Sequence, residues 1–415
     1  MTESSSFLIP RGFRFAAATA GLKISGRPDF ALIVADAPAS AAAVFTANRV
    51  TAAPVQVGKE HLRATGGKVR VAAINAGNAN CAAGQAGLDA ARATCAAAAR
   101  QFDCRPEEVI PSSTGIIGIP LPAQKLIAAL PGVAAGLGSG SAHFLQAAQA
   151  ILTTDTVEKT AFAHMDLAVA TAHGATPAGA PAEIRIAGFA KGAGMLYPQL
   201  VPHATMLAYV LTDAEIAPSV LAGYLNDAVE TSFNRISVDG DTSTNDTVLL
   251  LASGASGASI GPGDSAFAAA LNEVCASLAR QMVADGEGVS HMVELRIEGA
   301  ATDADALRVA TAIARSPLVK TAWAGCDPNW GRIVAAIGNS DAQIDPERID
   351  ISFGDLPICR NGASAAGFDE AAAHGYISQR EYSISVHLHQ GQGSCIFWTS
   401  DLTTDYIRIN ADYST

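Results

Sequence analysis

Residues 191–211 read KGAGMLYPQLVPHATMLAYVL. Two prolines bracket a loop in this stretch, and the apolar run that begins at Met206 predicts a buried strand. Because Pro202 favours extended geometry at the residue before it, the loop is not expected to continue as a helix. Thr205 therefore stands at a stiff junction between loop and strand, directly after Ala204.

A threonine at such a junction has a specific chemistry available to it. Intramolecular peptide cleavage requires a hydroxyl held rigidly against the preceding carbonyl. A cut between Ala204 and Thr205 would free an α-amino group that serves as the base of that threonine, with an unperturbed pKa of about 7.7–8.0. A β-branched residue that merely favours the following strand fits the same position. The cleavage hypothesis divides the chain into residues 1–204 and 205–415.

The composition restricts the class of protein. The chain has 415 residues, of which 49% are hydrophobic, so it can bury a sizeable core. The formal net charge of −12, without a basic cluster, disfavours nucleic acid or anionic membrane partners. Seven cysteines without C-x-x-C spacing favour a reducing cytoplasm over a disulfide framework. Neither a secretory signal nor a membrane span is predicted.

Apolar periodicity predicts an α+β chain. Short strands are expected across residues 13–57, including one at 53–58, and again between residues 155 and 190. Helices are expected at Leu88–Phe102, Ser219–Phe233 and Ser265–Ala284. Because strands and helices come in blocks, a layered α+β body is favoured over a doubly wound parallel sheet.

The turn Ser113-Thr114-Gly115 is a candidate oxyanion site. Consecutive backbone N–H groups beside a glycine can hold a developing negative charge, and loss of one such donor costs about 3–4 kcal/mol of barrier. The same residues also fit an ordinary turn or a helix N-cap.

No metal site is predicted. Within residues 232–247, three residues resemble the start of a calcium loop, namely Asp239, Asp241 and Ser243. However, Thr244 stands where glycine is needed and Leu250 where glutamate is needed. We interpret this run as a polar loop that orders a site or an interface. His387 and His389 share a strand face, but two histidines alone rarely bind a metal. Arg332 could hold a carboxylate, or lie on a surface turn.

Seven segments of the sequence, taken together, are more specific than any one of them alone. In order, they are SSTGIIGIPLP, KGAGM, ATMLAYVLTDA, SFNRISVDGDTSTNDT, GEGV, DPNWGRI and DYIRINADYST. They closely resemble the ornithine acetyltransferase family, which supplies the bifunctional glutamate N-acetyltransferase of arginine biosynthesis. N-terminal segments extend the resemblance over essentially the whole chain. The resemblance implies a layered α/β/β/α-type body of the N-terminal-nucleophile kind, the ornithine acetyltransferase or DmpA-like fold.

The resemblance also implies an activity. The precursor would cut itself between Ala204 and Thr205, and the α chain (1–204) and β chain (205–415) would stay associated, usually as an α2β2 assembly. Thr205 would take an acetyl group from N-acetylornithine and pass it to glutamate in a ping-pong cycle. Many members also accept acetyl-CoA as donor. A metal or other cofactor is not implied.

Site residues follow from the matching motifs. Thr205 is the implied nucleophile, and Thr114 with Gly115 the implied oxyanion hole. The implied substrate contacts are Thr153, Lys191, Thr205, Glu287, Asn410 and Thr415. A lysine and a glutamate in this set could pair with the charged ends of an amino acid.

Two departures from the family pattern leave alternatives open. The link Gln199–His203 is three residues longer than usual, and Ser290-His291 replaces a usual Thr-Lys. One alternative is a paralogue with a shifted acyl-amine substrate. A second is an N-terminal-nucleophile amidohydrolase or aminopeptidase, in which water resolves the acyl-enzyme. A third is an uncleaved, inactive binding protein.

Overall fold

The computed structural model describes residues 7–167, 182–198 and 206–412. Its strands are β1 Phe13–Ala18, β2 Phe30–Phe45, β3 Lys68–Asn78, β4 Val109–Ile116, β5 Lys159–Leu167, β6 Ala182–Lys191, β7 Leu207–Thr212, β8 Ile236–Ser237, β9 Thr247–Ala252, β10 Met292–Ala300, β11 Asp350–Phe353, β12 Leu356–Arg360, β13 Ala363–Ser364, β14 Glu381–His387 and β15 Gly393–Ser400.

Its helices are α1 Ala53–Thr65, α2 Gly84–Phe102, α3 Ala123–Ala135, α4 Ser141–Ala150, α5 Pro218–Glu230, α6 Ser265–Ala284, α7 Asp303–Ala314, α8 Pro317–Ala324, α9 Trp330–Gly338, α10 Glu370–Ile377 and α11 Thr404–Asp412. The described helices include none that is long and apolar enough to cross a membrane.

The first sheet mixes strands from both halves of the chain. Its order is β4-β3-β2-β9-β7-β6-β5, and β1 pairs with β2 outside this path. Strand β7 lies parallel to β9 and antiparallel to β6. Two strands from the second half of the sequence therefore lie between β2 and β6 of the first half.

Strand β7 is buried on both faces, as its apolar run predicts. Leu207, Tyr209 and Leu211 pack in one core cluster with residues of α4. Ala208 and Val210 face the opposite way, into a cluster formed with α5 and α6. Because both faces are covered, the start of β7 is fixed in the middle of the first sheet.

The second sheet has the order β13-β12-β11-β14-β10-β15-β8. Helix α6 begins after its N-cap Asp264, whose side chain accepts from the backbone N–H groups of Ala266 and Phe267. It packs on the first sheet and also shares a core cluster with Met292 and Trp398 of the second. Two mixed sheets with helices packed against them confirm the layered α+β class.

Several local predictions were wrong. Residues 53–58, predicted as a strand, form the start of α1, with a proline in its first turn. Within residues 13–57, the separate short strands expected at 29–36 and 40–47 are one strand, β2, whose pairing with β3 shifts register between Val34 and Ala39. Helices α8 to α11 were not predicted. Short apolar runs do not distinguish a strand from a buried helix turn, which explains the first error.

Candidate active site

One cavity brings together most of the predicted site residues. Thr114 and Gly115 line it from β4, Lys191 from the end of β6, and Met206 and Leu207 from the start of β7. Its further lining residues include Thr153, Thr154, Gly194, Met195, Ser243, Asn245, Asp246, Glu287 and Asn410. Ala204, Thr205 and Thr415 lie outside the described residues. Met206, the residue bonded to Thr205, is fixed by its carbonyl, which accepts from the N–H of Thr247 at 2.9 Å.

Gly115 adopts a backbone conformation that requires glycine. Its φ is +131°, and a Cβ at this position would lie 2.4 Å from the carbonyl carbon of Gly77. The pairing of β3 with β4 is irregular at this point. Such irregularities in a ladder re-aim backbone groups, which fits a cavity wall that presents N–H donors.

Asn245 anchors this wall from the polar loop. Its side-chain amide donates to the carbonyl oxygens of Ala79 at 2.6 Å and Ser113 at 2.8 Å. Ser113 precedes Thr114, and its hydroxyl donates to Asn75 at 2.7 Å. The polar loop that we predicted to order a site thus contacts the backbone beside the candidate oxyanion residues.

Lys191 is held by a buried carboxylate. Its Nζ lies 3.8 Å from Oδ2 of Asp155 and 3.4 Å from Oγ1 of Thr114. Asp155 also accepts from the backbone N–H groups of Gly192 at 2.7 Å and Thr153 at 3.1 Å. One carboxylate therefore fixes two of the predicted substrate contacts.

A second lysine extends this network. Lys159 is fully buried and donates to Asp155 at 2.8 Å and to Asp285 at the end of α6. Burial alone would raise the pKa of Asp155, but the charges of Lys191 and Lys159 outweigh it and hold this pKa well below its usual range. The network thus keeps an ionised carboxylate beside Lys191.

Glu287 lines the cavity next to Gly194 and Asn410. Its Oε2 accepts from the side-chain amide of Asn410 at 2.9 Å, and its N–H donates to the carbonyl of Ala193 at 2.9 Å. A Cβ at Gly194 would lie 2.3 Å from Oε2 of Glu287. The carboxylate therefore occupies the space that a side chain at Gly194 would need.

The sequence did not identify Asp155, Lys159 or Asp285 as parts of the site, and it indicated Asn245 only as a member of the polar loop. The four-residue spacing of Asp155 and Lys159 was the available signal for the first pair. The other candidates lie elsewhere. Arg332 donates to the carbonyl of Leu318 in α8 at 2.7 Å, as the surface-turn interpretation expects. Within the described ranges, His, Cys, Asp and Glu side chains form no group of three that could hold a metal ion.

The cavity thus combines the ammonium of Lys191, the carboxylates of Glu287 and Asp246, and a glycine-dependent backbone wall. An ammonium and a carboxylate can pair with the two charges of a free amino acid. Backbone donors beside Gly115 can hold a developing oxyanion. This arrangement suits acyl transfer on a small zwitterionic molecule.

Comparison with known proteins decides the family. Residues 14–415 match the ArgJ family. The chain belongs to the ArgJ family. The arginine biosynthesis bifunctional protein ArgJ of Geobacter sulfurreducens is 45% identical over 409 residues, covering 98% of this chain and 99% of that protein. The protein of the same name from Chlorobaculum tepidum is 42% identical, covering 99% and 97%. The family resemblance inferred from the motifs is confirmed.

A solved structure also matches. The crystal structure of arginine biosynthesis bifunctional protein ArgJ from Bacillus halodurans is 44% identical, with a TM-score of 0.49. It covers 50% of this chain and 100% of that one.

Proposed function

We propose that this ArgJ family member is a self-cleaving acetyltransferase that moves acetyl from N-acetylornithine to glutamate in arginine biosynthesis. One observation carries the proposal. The cavity places Lys191 and Glu287 beside Thr114 and Gly115, and its wall includes Met206, the residue after Thr205. Lys191 matches the α-carboxylate that donor and acceptor share, and Glu287 matches the side-chain ammonium of the donor.

Processing comes first in this scheme. The hydroxyl of Thr205 attacks the carbonyl carbon of Ala204, the peptide C–N bond breaks, and an ester forms with a free α-amine. Water then hydrolyses the ester. The products are residues 1–204 and a chain of residues 205–415 that begins with the nucleophile.

Acetyl transfer then proceeds in two half-reactions. The α-amine of Thr205 accepts the hydroxyl proton as the oxygen attacks the acetyl carbonyl, and backbone donors near Thr114 and Gly115 stabilise the oxyanion. The amide C–N bond breaks and ornithine leaves with a proton. The amine of glutamate then attacks the acetyl-threonine ester, which returns the free hydroxyl. Lys191 would bind the α-carboxylate of each substrate in turn, and Glu287 a substrate ammonium.

The proposal also covers the assembly of the two chains, the cellular location and the acetyl donor. The two products stay together, in an α2β2 assembly, in the cytoplasm. The cycle needs no cofactor, and acetyl-CoA is an alternative acetyl donor. Asn410 and Thr415 contribute from the C-terminal segment to substrate binding. Removal of Thr415 should therefore weaken substrate binding and leave self-cleavage intact.

The test combines processing with transfer. A denaturing gel of the purified protein should show two fragments, and sequencing of the smaller pieces should show that one begins at Thr205. Thr205→Ala should give one uncleaved band, whereas Thr205→Ser keeps a nucleophile and should still be cut. Initial rates with N-acetylornithine and glutamate should give the parallel double-reciprocal lines of a ping-pong cycle. Uncut protein with full activity, or release of acetate without N-acetylglutamate, would contradict the proposal.

A further inference from the structure

A cysteine and a histidine form a pair away from the cavity. Sγ of Cys326 lies 3.6 Å from Nε2 of His291. Cys326 is partly exposed, at the turn between α8 and α9, and His291 is largely buried just before β10. A partly exposed thiol beside an imidazole is the environment in which protein thiols react.

Hydrogen bonding fixes the roles of the two ring nitrogens. Nδ1 of His291 lies 2.9 Å from the carbonyl oxygen of Gln379, which can only accept, so Nδ1 carries a proton. In the neutral ring, Nε2 is then the acceptor that faces the thiol of Cys326. A nucleophile, a base and a third group that orients the base make up the arrangement used for activated thiols.

The backbone holds Cys326 in place. Its φ is +52°, its N–H donates to the carbonyl of Trp323 at 3.0 Å, and its carbonyl accepts from Nδ1 of His374 at 2.7 Å. The backbone N–H and C=O of Cys326 are thus both hydrogen-bonded, and the turn holds the thiol next to His291.

Two buried polar atoms next to this pair lack a partner within the described ranges. The Tyr382 hydroxyl has none, and the Tyr382 ring lies 6.1 Å from the His291 ring. Oδ2 of Asp401 has none either, although the N–H of Asp401 donates to the carbonyl of His291 at 3.0 Å. Buried polar groups are normally hydrogen-bonded. The two buried atoms without a hydrogen-bond partner beside the thiol–imidazole pair therefore indicate a place where a further polar group is accommodated.

In the part of the chain that the structure describes, none of the other six cysteines is hydrogen-bonded to a histidine. Five of them are buried, and burial raises the pKa of the thiols of Cys95, Cys275, Cys359 and Cys395. Cys104 is partly exposed like Cys326, but burial and the charge of Glu108 raise its pKa to about 11. Cys104 is therefore a matched internal reference for Cys326.

We propose that Cys326 is a thiol-modification site that exchanges with low-molecular-weight disulfides, with His291 as its base. The thiol proton passes to Nε2 of His291, and Sγ attacks one sulfur of the disulfide. The new S–S bond forms as the old one breaks, and the departing thiolate takes the proton. The disulfide is the oxidant, so the exchange needs no other co-reactant. This site is independent of the acetyl-transfer proposal, because it uses none of the cavity residues.

The test is site-resolved labelling of the native, full-length protein with hydroxyethyl disulfide, which is uncharged. Peptide mass spectrometry follows the mixed disulfide at each cysteine over time. Cys326 should react at least about tenfold faster than Cys104, because His291 can take up the Cys326 thiol proton, whereas burial raises the pKa of Cys104 to about 11 and so lowers its thiolate fraction. Equal or slower reaction at Cys326 would overturn the proposal, and this comparison requires no variant.

Two histidine variants test the base. His291→Gln should slow labelling of Cys326 by about tenfold and leave Cys104 unchanged, since the amide cannot accept the thiol proton. His374→Asn keeps an amide N–H near the position of Nδ1, so the hydrogen bond to the carbonyl of Cys326 is retained and the labelling rate should stay within about twofold. His291 is not the base if both variants change the labelling rate equally. The same conclusion follows if His291→Gln has a native thermal transition and an unchanged labelling rate at Cys326.

Discussion

The side-chain amide of Asn410 donates a hydrogen bond to Oε2 of Glu287 at 2.9 Å. This bond joins α11 to the loop after α6, although the two residues are 123 positions apart in the chain. The same loop is fixed to α11 a second time, because the hydroxyl of Thr403 donates to the carbonyl of Gly288 at 2.6 Å. The C-terminal helix is thus part of the wall that positions the candidate anion of the site.

Asn410→Ala should therefore raise KM while kcat and self-cleavage stay near their wild-type values. A hydrogen bond to a charged group contributes about 1.5–3 kcal/mol, and Asn410 is exposed, so we expect the lower end of this range, a rise in KM of about tenfold. Steady-state kinetics with N-acetylornithine and glutamate measures the effect. Arg408→Ala is the control, because Arg408 is exposed on the same helix and pairs only locally with Asp405 at 2.8 Å. Identical KM values for Asn410→Ala and wild type would exclude this role for Asn410.

Gly194→Ala should damage the site without unfolding the protein. The added methyl would lie 2.3–2.5 Å from the carboxylate atoms of Glu287, and this flexible group can move away. We expect kcat/KM to fall by more than about tenfold, with a change in unfolding free energy of about 1 kcal/mol or less. Gly132→Ala in α3, where a methyl would meet no atom within 4 Å, is the matched control. Full activity of Gly194→Ala would show that substrate does not depend on this position of Glu287.

Asp155→Asn should destabilise the protein in a pH-dependent way. Since Lys191 and Lys159 hold the pKa of Asp155 well below its usual range, its stabilisation is present above the unfolded pKa of about 3.9. That stabilisation is lost as pH falls further towards the folded pKa. Breaking a buried pair costs about 3–5 kcal/mol, so urea unfolding at pH 7 should show a loss of this size that shrinks below about pH 4.

The control for that variant is an exposed carboxylate. Asp36 pairs with Arg14 at 2.9 Å, with both side chains about half exposed. Asp36→Asn should cost about 1 kcal/mol or less. Equal losses for the two variants would mean that the buried network contributes no more than a surface ion pair.

Lys320 gives a prediction at alkaline pH. Its ammonium is buried against Thr399 and Ser400, and burial lowers its pKa to about 7. The unfolded chain then binds more protons between about pH 7 and pH 10.4, so this lysine makes the free energy of unfolding rise with pH across that window. Lys320→Met should lack this rise. Denaturant titrations at several pH values measure it, and a wild-type-minus-variant difference that stays flat would contradict the assignment.

Much of the fold could be predicted because local signals agreed with the tertiary structure. The predicted boundaries of Ser265–Ala284 match α6, since an N-cap aspartate precedes a long amphipathic pattern. The strand after Thr205 was evident from its uninterrupted apolar run. The strand predicted at 53–58 was wrong because this short run, with five apolar or small residues out of six, fits either element, and Pro54 in the first turn of α1 was the overlooked signal.

The residues of the candidate site also fall into two groups, those with a local sequence signal and those without one. Residues within family motifs, such as Lys191 and Glu287, could be proposed from the sequence because a motif is a local pattern, and both line the cavity. The network around them was missed because its members are distant in sequence: Lys159 and Asp285 are 126 positions apart, and Asn245 and Ser113 are 132. No periodicity or spacing encodes such contacts, which exist only once the two sheets and α6 are assembled.

The strand order of the first sheet has a consequence for the lifetime of the proposed two-chain enzyme. Strands β7 and β9 follow the scissile bond in sequence, yet they are hydrogen-bonded between β2 and β6, which precede it. Neither product could leave without rupturing the centre of that sheet and its core. Exchange of a cut half between molecules would therefore face the same kinetic barrier as global unfolding, so a processed enzyme would keep its original partner chain.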